Sequence, residues 1–114
     1  MPSGSLSIDR TVIGSSELQF ANDKNIYPKA SDFQVLNYVL MSSNTGERWA
    51  TLTLRNTADG SRQLASDHIM ALFANGKRHK PSHVKRSFKA GQILTFSLNF
   101  GSNKFPLLEI YTRN

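Results

Sequence analysis

Apolar and polar residues alternate strictly in two stretches of the chain, which give its clearest secondary-structure signal. In residues 48–56 (RWATLTLRN) the alternation places Ala50, Leu52 and Leu54 on one face. In residues 93–100 (ILTFSLNF) the same alternation places Leu94, Phe96, Leu98 and Phe100 on one face. Successive side chains of a β-strand point to opposite sides of the sheet, so each stretch predicts a strand with one buried face.

Other stretches predict strands from their composition and from the turns around them. Residues 33–42 (FQVLNYVLMS) and 68–73 (HIMALF) are apolar on both faces, which is typical of strands covered on both sides. Residues 6–13 and 17–21 are expected to pair as an N-terminal hairpin, and residues 107–112 to form a last strand. One helical turn is expected at positions 29 to 33.

The dipeptide Asn75-Gly76 separates two extended runs and predicts a β-hairpin. Both residues tolerate the positive φ that a type I′ turn requires. The returning strand, residues 77–83, contains Pro81, which has no N–H to donate to a strand ladder. This strand is therefore expected at the edge of a sheet.

Turn signals recur about every ten residues and no helical periodicity is sustained, which is the pattern of an all-β fold. We predict an antiparallel β-sandwich of about seven or eight strands, with a small antiparallel β-barrel as the alternative. The chain fits a single domain over residues 1–114, with residues 1–5 frayed. The core is expected to form where the following side chains face one another across two sheets: Leu52, Leu54, Leu94, Phe96 and Leu98.

The chain carries a formal net charge of +6 and contains no cysteine. The lack of cysteine excludes a disulfide framework, a thiolate nucleophile and cysteine-ligated zinc or iron–sulfur sites. The positive charge permits contact with nucleic acid, acidic polysaccharide, anionic lipid or an acidic protein, without selecting one of them. The first residues lack the apolar run of a secretory signal and no run reaches the length of a membrane span, which favours a cytoplasmic location.

Six of the 14 basic residues crowd into residues 77–89, a stretch without a carboxylate that we call the basic segment. Its candidate site residues are Lys77, Arg78, His79, Lys80, Lys85, Arg86 and Lys89. One hypothesis makes the segment an electrostatic footprint for phosphates, with Phe88 stacking on a base if its ring is exposed. The other, which we favour, makes it an edge strand whose charges and Pro81 prevent pairing with other chains.

A second candidate surface is a contact patch of Arg48, Trp49 and Arg55, because Trp and Arg are favoured at interface hot spots. Trp49 falls on the face opposite Ala50, so it belongs to a patch if that face is open. The alternative is burial of Trp49 under a neighbouring loop.

Sequence motifs for catalysis and metal binding are missing. His79 and His83 are four residues apart in an extended segment, which holds their imidazoles too far apart to share a metal ion. The carboxylates are scattered, and no nucleophile elbow, phosphate loop or zinc-protease motif occurs. We therefore expect neither a metal nor a cofactor, and no enzymatic activity.

Four stretches in order carry a resemblance: the strand WATLTLRN, the strand and turn IMALFANGKRHKP, Ala-Gly-Gln before the next strand, and the exit FGSNKFPL. Together they resemble the immunoglobulin-like, telokin-like domains of bacterial proteins, over residues 49–111. The resemblance implies an immunoglobulin-like sandwich and a binding or assembly role, often on the cell envelope, with no catalytic residue. The chain departs from the antibody pattern because Trp49 has no cysteine pair to pack upon.

Two function classes follow. The first is a non-catalytic binding or assembly module that recognises protein, a second copy of the chain included, through a sheet face or an edge strand. The alternative is binding of nucleic acid or another polyanion through the basic segment.

Overall fold

The computed structural model describes residues 6–13 and 28–113 of the chain. In these ranges the backbone forms nine β-strands and a 3-10 turn (Ser66–His68), with no α-helix. Strand pairs are antiparallel throughout, which confirms the predicted all-β antiparallel class. The strands are β1 (Leu6–Ile13), β2 (Phe33–Ser43), β3 (Glu47–Asn56), β4 (Arg62–Ala65), β5 (Met70–Phe73), β6 (Arg78–His79), β7 (Lys85–Phe88), β8 (Ile93–Ser102) and β9 (Leu107–Tyr111).

The N-terminal part differs in detail from the expectation. β1 pairs with β2. The hairpin partner predicted for β1, residues 17–21, lies outside the described residues, as do residues 1–5. The helical turn expected at positions 29 to 33 was wrong, because Ala30 forms a parallel bridge with Arg113 and the Ser31 N–H donates to the Arg113 carbonyl at 2.8 Å.

The largest sheet has four strands in the order β1-β2-β3-β8. β2 and β3 are joined by a hairpin, in which the Gly46 N–H donates to the Ser43 carbonyl at 3.1 Å. Gly46 has a φ of 91°, a conformation that glycine adopts without steric cost. β8 then returns from far along the chain to pair with the free side of β3.

The inner face of this sheet forms much of the core. Leu52 of β3 lies directly between Tyr38 of β2 and Phe96 of β8, and all three side chains are buried. Ala50 and Leu54 flank Leu52 along β3 and are fully buried. The alternation seen in residues 48–56 therefore predicts the buried face of β3 correctly.

The predicted contact across two sheets was wrong for this set of side chains. Leu52 is opposite Phe96, and Leu54 is opposite Leu94, on neighbouring strands of one sheet. The reason is the long-range pairing of β3 with β8, which puts these residues side by side.

The remaining strands form a three-stranded sheet, β6-β5-β9, and a two-stranded sheet, β4-β7. All four residues of β5 are buried, as expected for a strand covered on both sides. β4 and β7 lie where no strand was predicted, and they add Leu64 and Phe88 to the hydrophobic cluster. Because this single cluster takes side chains from all three sheets, the pairing is compatible with the predicted sandwich and with the barrel alternative.

The β5–β6 hairpin is confirmed, but its turn type is not the predicted one. The Gly76 N–H donates to the Phe73 carbonyl at 2.8 Å, and the Phe73 N–H donates to the Lys77 carbonyl at 2.9 Å. Gly76 has a φ of 84°, whereas Asn75 keeps a negative φ. The connection is therefore a three-residue loop with a turn followed by a left-handed glycine, not a type I′ turn.

Asn56 is a fully buried polar residue that fixes the end of β3. Its Nδ2 group donates to the carbonyls of Gly60, at 2.9 Å, and Lys89, at 3.0 Å. Its Oδ1 atom accepts from the Ala58 N–H at 3.0 Å. The side chain thus ties the loop after β3 to the turn that precedes β8, and every bond compensates for the water lost on burial.

The assignment of the two faces of β3 can be tested by truncation. Leu52→Ala removes a fully buried side chain and is expected to lower the free energy of unfolding by about 2–5 kcal/mol. Thr53→Ala, one residue along on the opposite face, is the matched control and should cost about 1 kcal/mol or less. Urea denaturation of both variants measures this, and equal losses would contradict the register.

Candidate functional site

The side of the four-stranded sheet that points away from the core is called the outer face. Strand pairing aligns its residues in rows, with Trp49 between Met41 and Asn99 and with Thr51 between Val39 and Ser97. Its members are Ile8, Thr11 and Ile13 of β1, Asn37, Val39 and Met41 of β2, Trp49, Thr51, Thr53 and Arg55 of β3, and Ile93, Thr95, Ser97 and Asn99 of β8.

Hydroxyl pairs run across the middle of the outer face. The Thr51 and Ser97 hydroxyl oxygens are 2.7 Å apart, and those of Thr53 and Thr95 are 2.8 Å apart. These bonds hold neighbouring side chains upright between β3 and β8, as cross-strand pairs do. The centre of the face is consequently flat, polar and uncharged.

Exposed isoleucines surround this polar centre. The exposed fractions are 71% for Ile8, 86% for Ile13 and 53% for Ile93. Large aliphatic side chains this exposed on one side of one sheet mark a surface whose burial in an interface is favourable in free energy.

Charge is nearly missing from the outer face of β3. Glu47 lies at one end, where its carboxylate accepts a hydrogen bond from Asn99 Nδ2 at 3.1 Å, and Arg55 lies at the other end. Of the seven residues from Arg48 to Leu54, only Arg48 is charged, and its side chain points to the other side of the sheet. The net charge of +6 is therefore carried by other surfaces.

The structure brings together two of the three residues of the predicted contact patch. Trp49 and Arg55 lie on the outer face. Arg48 points to the other side, where its Nε and Nη2 atoms donate to the carbonyls of Asn103, at 2.8 Å, and Lys104, at 3.3 Å. Trp49 is half-buried with its indole N–H enclosed, so it matches neither the fully open nor the fully covered alternative.

The basic segment does not form one strand. Its first part, Lys77 to Lys80, belongs to the β5–β6 hairpin, and its second part, from Lys85, belongs to β7 in another sheet. The two parts are joined by a loop in which Pro81 and Val84 are buried. The predicted edge position holds for β6, which pairs only with β5 in the described part of the chain.

Several cations of the basic segment have partners within the protein. Arg78 Nε donates to the Tyr111 hydroxyl at 2.8 Å, and Lys80 Nζ lies 3.1 Å from the Asp67 carboxylate. The Lys80 hydrogen bond, with its charge, lowers the pKa of Asp67 below its usual value. These contacts hold the segment on its own sheets.

The second part of the segment packs on aromatic rings. The Arg86 guanidinium lies 4.9 Å from the centre of the Phe96 ring, a cation–π distance. Phe88 is buried, with its ring edge-on to Phe33 at 4.9 Å, so the idea that it stacks on a base was wrong. Lys77, Lys85 and Lys89 are exposed and form no ion pair with any described residue.

The histidines are separate from one another. The exposed His79 ring meets the Phe73 ring edge-on at 5.2 Å, and the exposed His83 has a φ of 54° in the loop after β6. No group of three metal-ligating side chains occurs among the described residues.

A buried polar cluster was missed by sequence reasoning. Glu109 of β9 is buried, Arg10 of β1 donates to the Leu108 carbonyl, and Tyr38 of β2 is buried nearby. Burial raises the pKa of Tyr38, and the negative charge of Glu109 adds to this rise. The sequence signal was weak because Glu109 sits alone in an apolar run.

Comparison with known proteins adds no relative, since no family model, curated protein or solved structure matches this chain. None of the elements in the described residues is a helix long and apolar enough to cross a membrane.

His68, just before β5, makes the stability of the protein depend on pH. Its Nδ1 atom accepts the Ala65 N–H at 3.0 Å, a bond that needs the neutral ring. Burial lowers the pKa of His68, and the charge of Lys29 lowers it further. Stability from the neutral ring is complete above the unfolded-state pKa of about 6.5 and is lost as the pH falls through the lower folded-state pKa.

Unfolding midpoints of the wild type should therefore decline as the pH is lowered from 7.5 to 5, as measured by urea denaturation at about half-unit steps. His68→Asn keeps an acceptor and removes the titration, so its decline should be smaller. His79→Asn removes an exposed imidazole and should keep the wild-type profile. Identical profiles for wild type and His68→Asn would contradict this role.

Proposed function

We propose that this protein is a non-catalytic protein-recognition module that binds its partner through the outer face. The observation that carries the proposal is the contrast between this face and the rest of the molecule. Exposed isoleucines surround an uncharged hydroxyl centre, in a chain whose net charge is +6. Depletion of charge with retention of apolar area is the composition of the central part of protein–protein interfaces.

Trp49 is the expected anchor of this interface. It lies beside Met41 and Asn99 on a strand that is paired on both sides, so its backbone is held in place. Trp side chains with rigid surroundings give large contact area at a small cost in conformational entropy, and they are enriched among hot spots. Arg55 supplies a charge at the rim, where it would steer the partner more than it would add affinity.

The resemblance to immunoglobulin-like, telokin-like domains supports the same class of function. We propose an immunoglobulin-like sandwich as the architecture, with the four-stranded sheet as one layer and the two smaller sheets as the other. Domains of this kind present a sheet face or an edge strand to other proteins.

Polyanion binding through the basic segment is the second candidate. It is supported by the exposed ammonium groups of Lys77, Lys85 and Lys89, which form no ion pair within the described part of the chain. It is weakened by the internal contacts of Arg78, at the Tyr111 hydroxyl, and of Lys80, at Asp67. The remaining charges lie on two separate sheets.

The proposed function is tested by site-specific crosslinking in the source cell. A photo-reactive residue at Thr53, in the middle of the outer face, should capture a defined protein, whereas one at the exposed Gln63 of β4 should not. With that protein purified, Trp49→Ala should weaken binding by about 30-fold, or roughly 2 kcal/mol, in calorimetry. Thr51→Lys places a charge in the centre of the outer face and should also weaken binding of that protein.

The controls separate the two candidates. Gln63→Ala, away from the outer face, should leave protein binding unchanged. A Lys77→Ala, Lys85→Ala, Lys89→Ala triple variant should do the same. Under the proposal, nucleic acid should not bind tightly. Tight nucleic-acid binding at physiological salt that is weakened by the triple variant and unaffected by Trp49→Ala would show that the basic segment, and not the outer face, is the binding site.

A further inference from the structure

β8 forms one edge of the four-stranded sheet. In the described part of the chain it hydrogen-bonds to β3 alone. Residues 93–99 pair with β3 without interruption, and an irregularity follows at Gly101, which has a φ of 87°. The opposite side of residues 93–99 is thus a row of backbone donors and acceptors that pairs with no other strand among the described residues.

Two other edge strands, β1 and β6, carry features that discourage pairing. β1 has an irregularity at Asp9 and carries the charge of Arg10. β6 is only two residues long and is flanked by Lys77 and Lys80. Bulges, short strands and inserted lysines are the usual means by which edge strands are kept apart.

β8 lacks these features. It is ten residues long and contains no charged residue and no proline. Three of its inward-pointing side chains, Leu94, Leu98 and Phe100, are only half-buried although they pack on the core cluster. A strand added beside β8 would complete their burial and satisfy the backbone row at the same time.

We infer that β8 is a dimerisation edge, and that it pairs antiparallel with β8 of a second copy of this chain. A two-fold axis at Phe96 pairs all of residues 93–99 and keeps every side chain on its own face. Leu94 then lies opposite Leu98 on the inner side, and Thr95 lies opposite Ser97 on the outer side. The two four-stranded sheets become one continuous sheet of eight strands.

Charge favours a like strand at this edge. A two-fold axis brings the residues around Phe96 close to their own copies, so a charge at the middle of the strand would face the same charge, whereas β8 is neutral throughout. The nearest cations are Arg55, opposite Ile93 on β3, and Arg86, held over the Phe96 ring. Because each copy carries +6 overall, added salt should strengthen the dimer, which is opposite to its effect on polyanion binding.

The test is sedimentation equilibrium of the full chain over a wide concentration range, with Ser97→Lys as the disrupting variant. In the proposed dimer the two Ser97 side chains lie diagonally across the new strand pair, about 7–8 Å apart. Two lysines there should weaken the dimer by about tenfold or more, because like charges across a strand pair repel. Mixing Ser97→Lys with Ser97→Glu should restore association as a heterodimer.

Thr51→Lys is the matched control. It adds the same charge to the same face and breaks the same Thr51–Ser97 hydrogen bond, but it lies one strand away from the edge. It should keep the dimer, with circular dichroism confirming that both variants fold. The inference is overturned if the wild type stays monomeric at the highest concentration measured. It is also overturned if Thr51→Lys abolishes the dimer, or if Ser97→Lys and Ser97→Glu fail to associate when mixed.

Discussion

The structure depends on the position of β3, whose backbone must pair with β2 on one side and β8 on the other while its side chains keep one register. Ala50, Leu52 and Leu54 are fully buried in that register. A slip of one residue would exchange them for Trp49, Thr51 and Thr53, because strand side chains alternate between faces. Two-sided pairing makes such a slip costly, since both neighbouring ladders would have to shift with it.

The same alternation creates the surface on the other side. The residues that β3 and β8 turn away from the core are mostly threonine, serine and asparagine, and they bond to one another across the strands. Isoleucines on β1 and β8 complete this face. The outer face and the core are therefore two consequences of one pairing pattern, and neither can change register alone.

Three of the six lysine and arginine side chains in the basic segment make contacts within the protein. Arg78 bonds to the Tyr111 hydroxyl, Arg86 covers the Phe96 ring, and Lys80 pairs with Asp67. Exposed pairs such as the last contribute little stability, but they orient the segment and occupy its cations. β8 itself contains no charged residue, and among the described residues the outer face of β3 carries charge only at its two ends, at Glu47 and Arg55.

The sequence by itself determined the all-β class, the buried side of β3 and β8, and the β5–β6 hairpin, because each follows from alternation or turn chemistry among residues close in the chain. It did not determine that β8 pairs with β3, that β4 pairs with β7, or that the basic segment divides between two sheets. Those contacts join residues far apart in sequence, and many pairings satisfy the same alternation. Only the tertiary structure decided that Leu52 and Phe96 are neighbours in one sheet, that Arg48 points away from Trp49, and that Phe88 belongs to the core. Each of these outcomes depends on which strands lie side by side, and local propensity carries no information about that choice.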